Sequence, residues 1–363
     1  MKTNSTSKTR FIALLLAIVM VLGLAACGAG TDGTVIDGNG GSAIEDTGSL
    51  PDANGSGLPR GNGGTTTSGL PRGNGGNTTS GIPRGNGVTE TTLKRYGDIE
   101  TLTKSVKTPS KPDTKNTKMD NNYGTVDWST AANGYITFTA KGQTREFILQ
   151  GPNGAQALAT VGKGDSAKIA LMDGTGKYQY AIANLADNGA NYVIQYKNSF
   201  QVKSIDADLV PYLVSTAWGD YENAPNAVAK AKELWDSKKT QLDNIKTLMA
   251  YVDGLKYDKK LKIGTIDKYV NPDIVIKNGG GVCNEMSKLL IAMLRSQGVP
   301  AYYTGGTDEN GDGHAWVRAW VEIETTTNNG VVSSKGAWVN IEATNGKLIK
   351  LSEYNYTANG YAN

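Results

Sequence analysis

The chain holds two cysteines and one histidine among 363 residues, so its thiol and imidazole chemistry is confined to three positions. Cys27 closes Leu24-Ala25-Ala26-Cys27 at the end of an apolar leader. Cys283 follows Gly279-Gly280-Gly281-Val282 and opens an apolar stretch, and His314 begins Gly313-His314-Ala315-Trp316-Val317. A thiol whose proton passes to an imidazole becomes a thiolate, a nucleophile able to attack an amide carbonyl. Cys283 sits where a glycine-rich approach turns into a helix. Outward-facing N–H groups and the positive end of the helix dipole both favour a thiolate there. The glycines leave space for close backbone approach and N–H groups that can face an oxyanion. The alternative is a small buried hydrophobe at a helix start; glycine flanking together with helix-start placement favours the nucleophile.

His314 opens a segment with the two-residue alternation of a strand. His314, Trp316, Arg318, Trp320 and Glu322 fall on one side. Ala315, Val317, Ala319, Val321 and Ile323 fall on the other, which reads as the core side. The next apolar segment alternates likewise, with Trp338, Asn340 and Glu342 opposite Val339, Ile341 and Ala343. If the two pair as a hairpin, Glu342 comes within reach of His314, and a carboxylate there would hold the imidazole tautomer and steady its charged form. The competing reading of Glu342 is a solvated charge on an exposed face. Asn340, on the same side, is the fallback orienter.

The elements needed to position these groups are legible upstream and between them. Ala224-Pro225-Asn226 opens one helix, Thr240 to Val252 forms a second, and Asn284 to Gln297 a third that stops at Gly298 and Pro300. Strands follow over Ala301–Thr304, His314–Glu324 and Ala337–Ala343. Helices followed by strands predict an α+β domain over residues 209–363. Before it, residues 121–208 carry short apolar runs, among them Tyr135–Ala140, Glu146–Gln150, Lys168–Met172, Tyr178–Ile182 and Tyr192–Tyr196, separated by glycine turns. That spacing predicts a small antiparallel β-sandwich. It contains no His, Cys or acidic cluster and is assigned no catalytic role.

The N-terminus supplies a different chemistry. Residues 1–26 combine Lys2, Lys8 and Arg10 with an apolar run from Phe11 to Leu24, too short for a comfortable membrane span. The segment resembles a bacterial lipoprotein signal, which implies cleavage before Cys27 and acylation of its thiol. Removing the leader's three basic residues from 37 Lys+Arg leaves 34, equal to the 34 Asp+Glu, so the mature chain is neutral and gives no reason to expect nucleic acid. Acylation of Cys27 would also leave Cys283 without a disulfide partner. Residues 27–120 are rich in Gly, Asn, Thr, Ser and Pro, and the motif Ser-Gly-Leu-Pro-Arg-Gly-Asn-Gly recurs from Ser56, Ser68 and, with Ile82 for Leu, Ser80. Such a composition predicts a disordered tether, with a coil dimension of roughly 50–60 Å. The implied location is the extracellular face of the bacterial cytoplasmic membrane, held by the lipid anchor.

Four motifs in order resemble the transglutaminase-like, papain-fold superfamily: Gly281-Val282-Cys283 with its helix, Gly298-Val299-Pro300-Ala301-Tyr302-Tyr303-Thr304-Gly305-Gly306, Gly313-His314-Ala315-Trp316-Val317 and Trp338-Val339-Asn340-Ile341-Glu342-Ala343-Thr344. Val252-Asp253-Gly254-Leu255-Lys256-Tyr257-Asp258 also matches a segment common before that family's cysteine. The resemblance spans about 220–350. It implies a papain-like core of helices on an antiparallel sheet, with Cys283 as nucleophile, His314 as general base and acid, and the third position as orienter. There the family usually has Asp followed by Pro-Thr; this chain has Glu342-Ala343-Thr344. The expected activity is attack on a peptide or side-chain amide of a protein or peptide substrate, cell-wall-associated ones included. The thioester would pass to water (hydrolase) or to an amine (acyltransferase). The alternative is a non-catalytic surface binding module on the same fold. No cofactor and no metal are expected. Asp308-Glu309-Asn310-Gly311-Asp312-Gly313 starts like a calcium loop, but Ala319 stands where the closing carboxylate belongs, so it reads as a polar turn. Too few ligands are present for a zinc spacing.

Overall fold

The computed structural model describes residues 88–97, 99–107, 117–186, 191–261, 269–308 and 310–350 and the backbone of 357–358. The leader, Cys27 and the repeats lie outside the described residues. Two four-stranded antiparallel sheets form a β-sandwich. One is built from β2 (Lys118–Asp120), β3 (Gly124–Asp127), β4 (Tyr135–Ala140) and β7 (Ser166–Ala170). The other runs in the order β6 (Gln156–Val161), β5 (Arg145–Gln150), β8 (Gly176–Leu185) and β9 (Tyr192–Val202). Strand alternation sends Ile136 and Phe138 from one sheet against Phe147, Leu149 and Tyr180 from the other, so the interior is apolar and aromatic. Ile148, Leu158 and Ala181 start a second small cluster behind the sheet. Trp218 Nε1 donates to Leu158 O at 3.1 Å, tying the sandwich to the chain that follows.

The site-bearing part is an antiparallel sheet with helices on one face. Its strands run β1 (Leu102–Lys107), β14 (Val331–Glu342), β13 (Gly313–Asn328), β12 (Ala301–Thr307) and β16 (Thr357–Ala358), with β15 (Lys347–Ile349) also on β14. Helices are α1 (Glu90–Lys94), α2 (Pro225–Leu234), α3 (Gln241–Asp253), α4 (Pro272–Asn278) and α5 (Cys283–Ser296). Helix α3 starts one residue after the expected point because Thr240 caps it, its Oγ1 accepting from Asp243 N at 3.1 Å. Helix α4 was not anticipated; Asn271 caps it with Pro272 behind, but seven residues are too few for a clear periodic signal.

Residues 88–107, expected within the disordered tether, are instead part of the core. Val88 and Leu93 are buried among the helices, and β1 adds to the edge of β14 with Leu102 opposite Gly336. Averaged over residues 27–120 the composition is poor in apolar groups, but Val88, Leu93, Tyr96, Ile99, Leu102 and Val106 make them denser at this end, and burying them favours order there. A second correction concerns β13. The Ala315, Val317, Ala319 and Val321 side packs with the helices as expected. The side carrying Trp316, Trp320 and Glu322 is buried too, at 0%, 0% and 1% exposure. Leu209 and Tyr212 around a short 3-10 turn, together with Leu102 and Val106 of β1, cover Trp320. Ile323 still packs against the helix-side core, partly buried, where the register shifts between Glu322 and Glu324.

Candidate active site

Cys283 is the first residue of α5 and exposes no surface. Val282 stands at the N-cap without a side-chain acceptor, so the helix start is held from the other direction: the buried Glu285 carboxylate accepts from Val282 N at 3.1 Å. The first helical bond is Met286 N to Val282 O at 3.0 Å, so the N–H groups of the first turn point out of the helix end where the thiol sits.

The three glycines before Cys283 serve the chain itself. Gly279 ends α4 in the left-handed region at φ 69°. Gly280 and Gly281 form β11, paired in parallel with Lys256–Tyr257 (β10). A Cβ on Gly280 would stand 1.9 Å from Lys256 O, and its φ is +159°. The close approach that requires glycine is therefore that of the neighbouring strand, which fixes the path into α5.

Two contacts place α5 against β13. Ser287 Oγ donates to Ala315 O at 3.4 Å, and Arg295 Nε donates to Ala301 O at 2.9 Å, Ala301 being paired with Ala319. Eight helical residues rise ~12 Å and four strand residues ~13 Å, so helix and strand run side by side in the same direction. Cys283 is one turn before Ser287, ~6 Å, which brings it level with Gly313–His314 at the start of β13.

The hairpin of β13 and β14 pairs Val317 with Ile341 and Trp320 with Trp338. It brings His314 to Glu342: Nε2 lies 2.5 Å from Glu342 Oε2. The other oxygen, Oε1, accepts from Thr344 N at 3.1 Å and Thr344 Oγ1 at 2.8 Å. Glu342 is 1% exposed, and burial pushes its carboxyl upward. The hydrogen bonds and charge from His314 and the bonds from Thr344 outweigh that and hold it below its ordinary value. The extra methylene of glutamate thus reaches the ring within this register. His314 bonds to Glu342 and not to Asn340, whose Oδ1 is buried without a partner. Thr344 is the contributor that sequence reasoning did not single out. Its signal was the Glu-x-Thr spacing, which lets a side chain and backbone two residues on bond the same carboxylate. Among the described residues, no group of three His, Cys, Asp or Glu is arranged to hold a metal ion.

Residues 228–343 match the model of the transglutaminase-like superfamily. This segment is a transglutaminase-like domain. No curated protein sequence matches the chain. Among solved structures, a provisionally named cysteine protease from Cytophaga hutchinsonii is similar at 14% identity, covering 62% of this chain and 78% of that one, with a TM-score of 0.34. The periplasmic domain of TgpA from Pseudomonas aeruginosa is similar at 14% identity, covering 72% and 86%, with a TM-score of 0.28. Similarity at that level carries no functional weight; the transglutaminase-like domain rests on the family match and the fold.

Proposed function

We propose that the chain is a cysteine enzyme that attacks amide carbonyls through Cys283. The observation that carries this reading is the His314–Glu342 pair at 2.5 Å, set at the strand end level with the N-terminus of α5. Glu342 engages Nε2, so Nδ1 is the nitrogen oriented to take the thiol proton. The thiolate sulfur adds to the carbonyl carbon. The oxyanion that forms faces the first-turn N–H groups of α5. His314 then gives its proton to the departing amine as the C–N bond breaks, leaving a thioester on Cys283. Water closes a hydrolytic cycle and a primary amine an acyl transfer. Hydrolysis is the preferred outcome, because no feature of the site selects an amine. The chain would act from the outer face of a membrane to which acylated Cys27 anchors it.

Iodoacetamide labelling at neutral pH tests the nucleophile. Cys283 is expected to react faster than a model thiol and to lose that advantage in His314→Ala. Reaction at the model rate in both proteins, with no activity lost in Cys283→Ala, would overturn the reading. A peptide library incubated with a labelled amine separates the outcomes: fragments mean hydrolysis, incorporated label means transfer. One observation favours the second reading, a non-catalytic binding module: Cys283 is 0% exposed. The same labelling experiment decides between them, since a module has no reason to activate its thiol.

A further inference from the structure

The face of the sheet that carries His314 and Glu342 continues into a row with no part in the chemistry above. Tyr302 of β12 pairs with Arg318 of β13, and Arg318 with Asn340 of β14, so the three stand side by side across three strands. Thr304, opposite Trp316, lies between this row and the His314 end. Beyond the row the face closes with rings: Tyr302 and Trp338 are 4.9 Å apart, Tyr212 and Trp338 4.8 Å.

The row is electrostatically incomplete. The Arg318 guanidinium lies 5.6 Å from the centre of the Tyr302 ring and is only half-buried. No carboxylate among the described residues is within ion-pairing distance of it. Its Nε is hidden from solvent without an acceptor, and so are Asn340 Oδ1 and Thr304 Oγ1 without partners, Thr304 being 5% exposed. Buried polar atoms left unpaired are costly, and on one face two that an anion can satisfy, Arg318 Nε and Thr304 Oγ1, accompany a cation with no carboxylate beside it. An arginine fork and a hydroxyl beside aromatic walls are groups that receive a carboxylate, while Asn340 Oδ1, an acceptor, is left to take a donor such as a backbone N–H of the same peptide.

We propose that Tyr302, Arg318, Asn340 and Thr304 form a specificity site for a carboxylate of the peptide substrate, an acidic side chain or a chain terminus. The proposal rests on the amide-attacking function above and names the substrate class. Arg318 is four strand residues from His314, ~13 Å. An extended peptide covers that distance in about four residues. The recognised carboxylate therefore lies about four residues from the attacked amide.

The test uses the full chain carrying Cys283→Ala, so that binding is read without turnover. A fluorescent peptide with Gln at the reacting position and Glu four residues on is compared by anisotropy with the same peptide carrying Gln in place of that Glu. The Glu peptide is expected to bind about tenfold tighter, with the advantage shrinking in high salt and vanishing in Arg318→Gln. If Arg318→Gln melts out, Asn340→Asp carries the test, because it supplies an anion to Arg318 from within and should abolish the preference. Equal binding of the two peptides, or a preference that survives these changes, overturns the site. Because the thiol is absent, this result stands or falls separately from iodoacetamide labelling of Cys283.

Discussion

At the scale of residues, Glu342 is held from both oxygens, by His314 on one and Thr344 on the other. Replacing it with Gln keeps the shape and removes the charge that would steady an imidazolium in the proposed mechanism. Glu342→Gln should lower kcat by about 10⁴-fold, the scale of loss when a triad of this kind loses its orienter. Thr344→Val should cost less, about tenfold, by loosening the carboxylate without removing it. The same carboxyl has a folded-state pKa below its ordinary 4.5. A depressed carboxylate contributes stability that is complete above its unfolded value and is lost as pH falls through the folded one. The excess stability of wild type over Glu342→Gln, measured by urea denaturation, should therefore be full above pH 4.5 and shrink as pH falls below it. An excess that grows on acidification would contradict that linkage.

At the scale of elements, the start of α5 depends on two arrangements that flank the thiol. Gly280 has backbone 1.9 Å from where a Cβ would be, and that neighbour, Lys256 O, belongs to a paired strand that cannot step aside alone. Gly280→Ala should destabilise the protein by about 2 kcal/mol or more and depress Cys283 alkylation, because the pairing of β10 with β11 sets the entry to the helix. Glu285→Ala removes the carboxylate that holds Val282 N. A loss of ~1–3 kcal/mol is expected by calorimetry, together with slower labelling of Cys283. Faster labelling in either variant would show that these contacts restrain the thiol instead of presenting it.

At the scale of the whole molecule, the segment before the sandwich closes the core sheet. Leu93 is 0% exposed among the helices, and β1 covers the edge of β14. A chain beginning at residue 88 should melt cooperatively and stay monodisperse on size exclusion. One beginning at residue 118 loses Val88, Leu93 and β1 and bares a long strand edge. Its melting temperature is expected to drop by several degrees, with association at high concentration. Equal melting of the two would mean that β1 is dispensable.

Pattern alone was enough to single out Cys283 and His314 as the candidate pair and to place the classes of element around them. A lone thiol behind glycines at a helix start, one histidine opening an alternating strand and a helix-then-strand order are local signals, and each rests on one stretch of chain. The distant consequences were not local. Which of Glu342 and Asn340 meets His314 depends on the register between β13 and β14, and a slip of one residue would turn either away. That both faces of β13 are buried depends on β1 and the Val210–Leu213 turn, which arrive from more than a hundred residues away. The Tyr302–Arg318–Asn340 row exists only because three strands align side by side. Spacing along the chain sets which groups can share a face; burial and pairing between distant segments set which of them meet, and that is decided by packing.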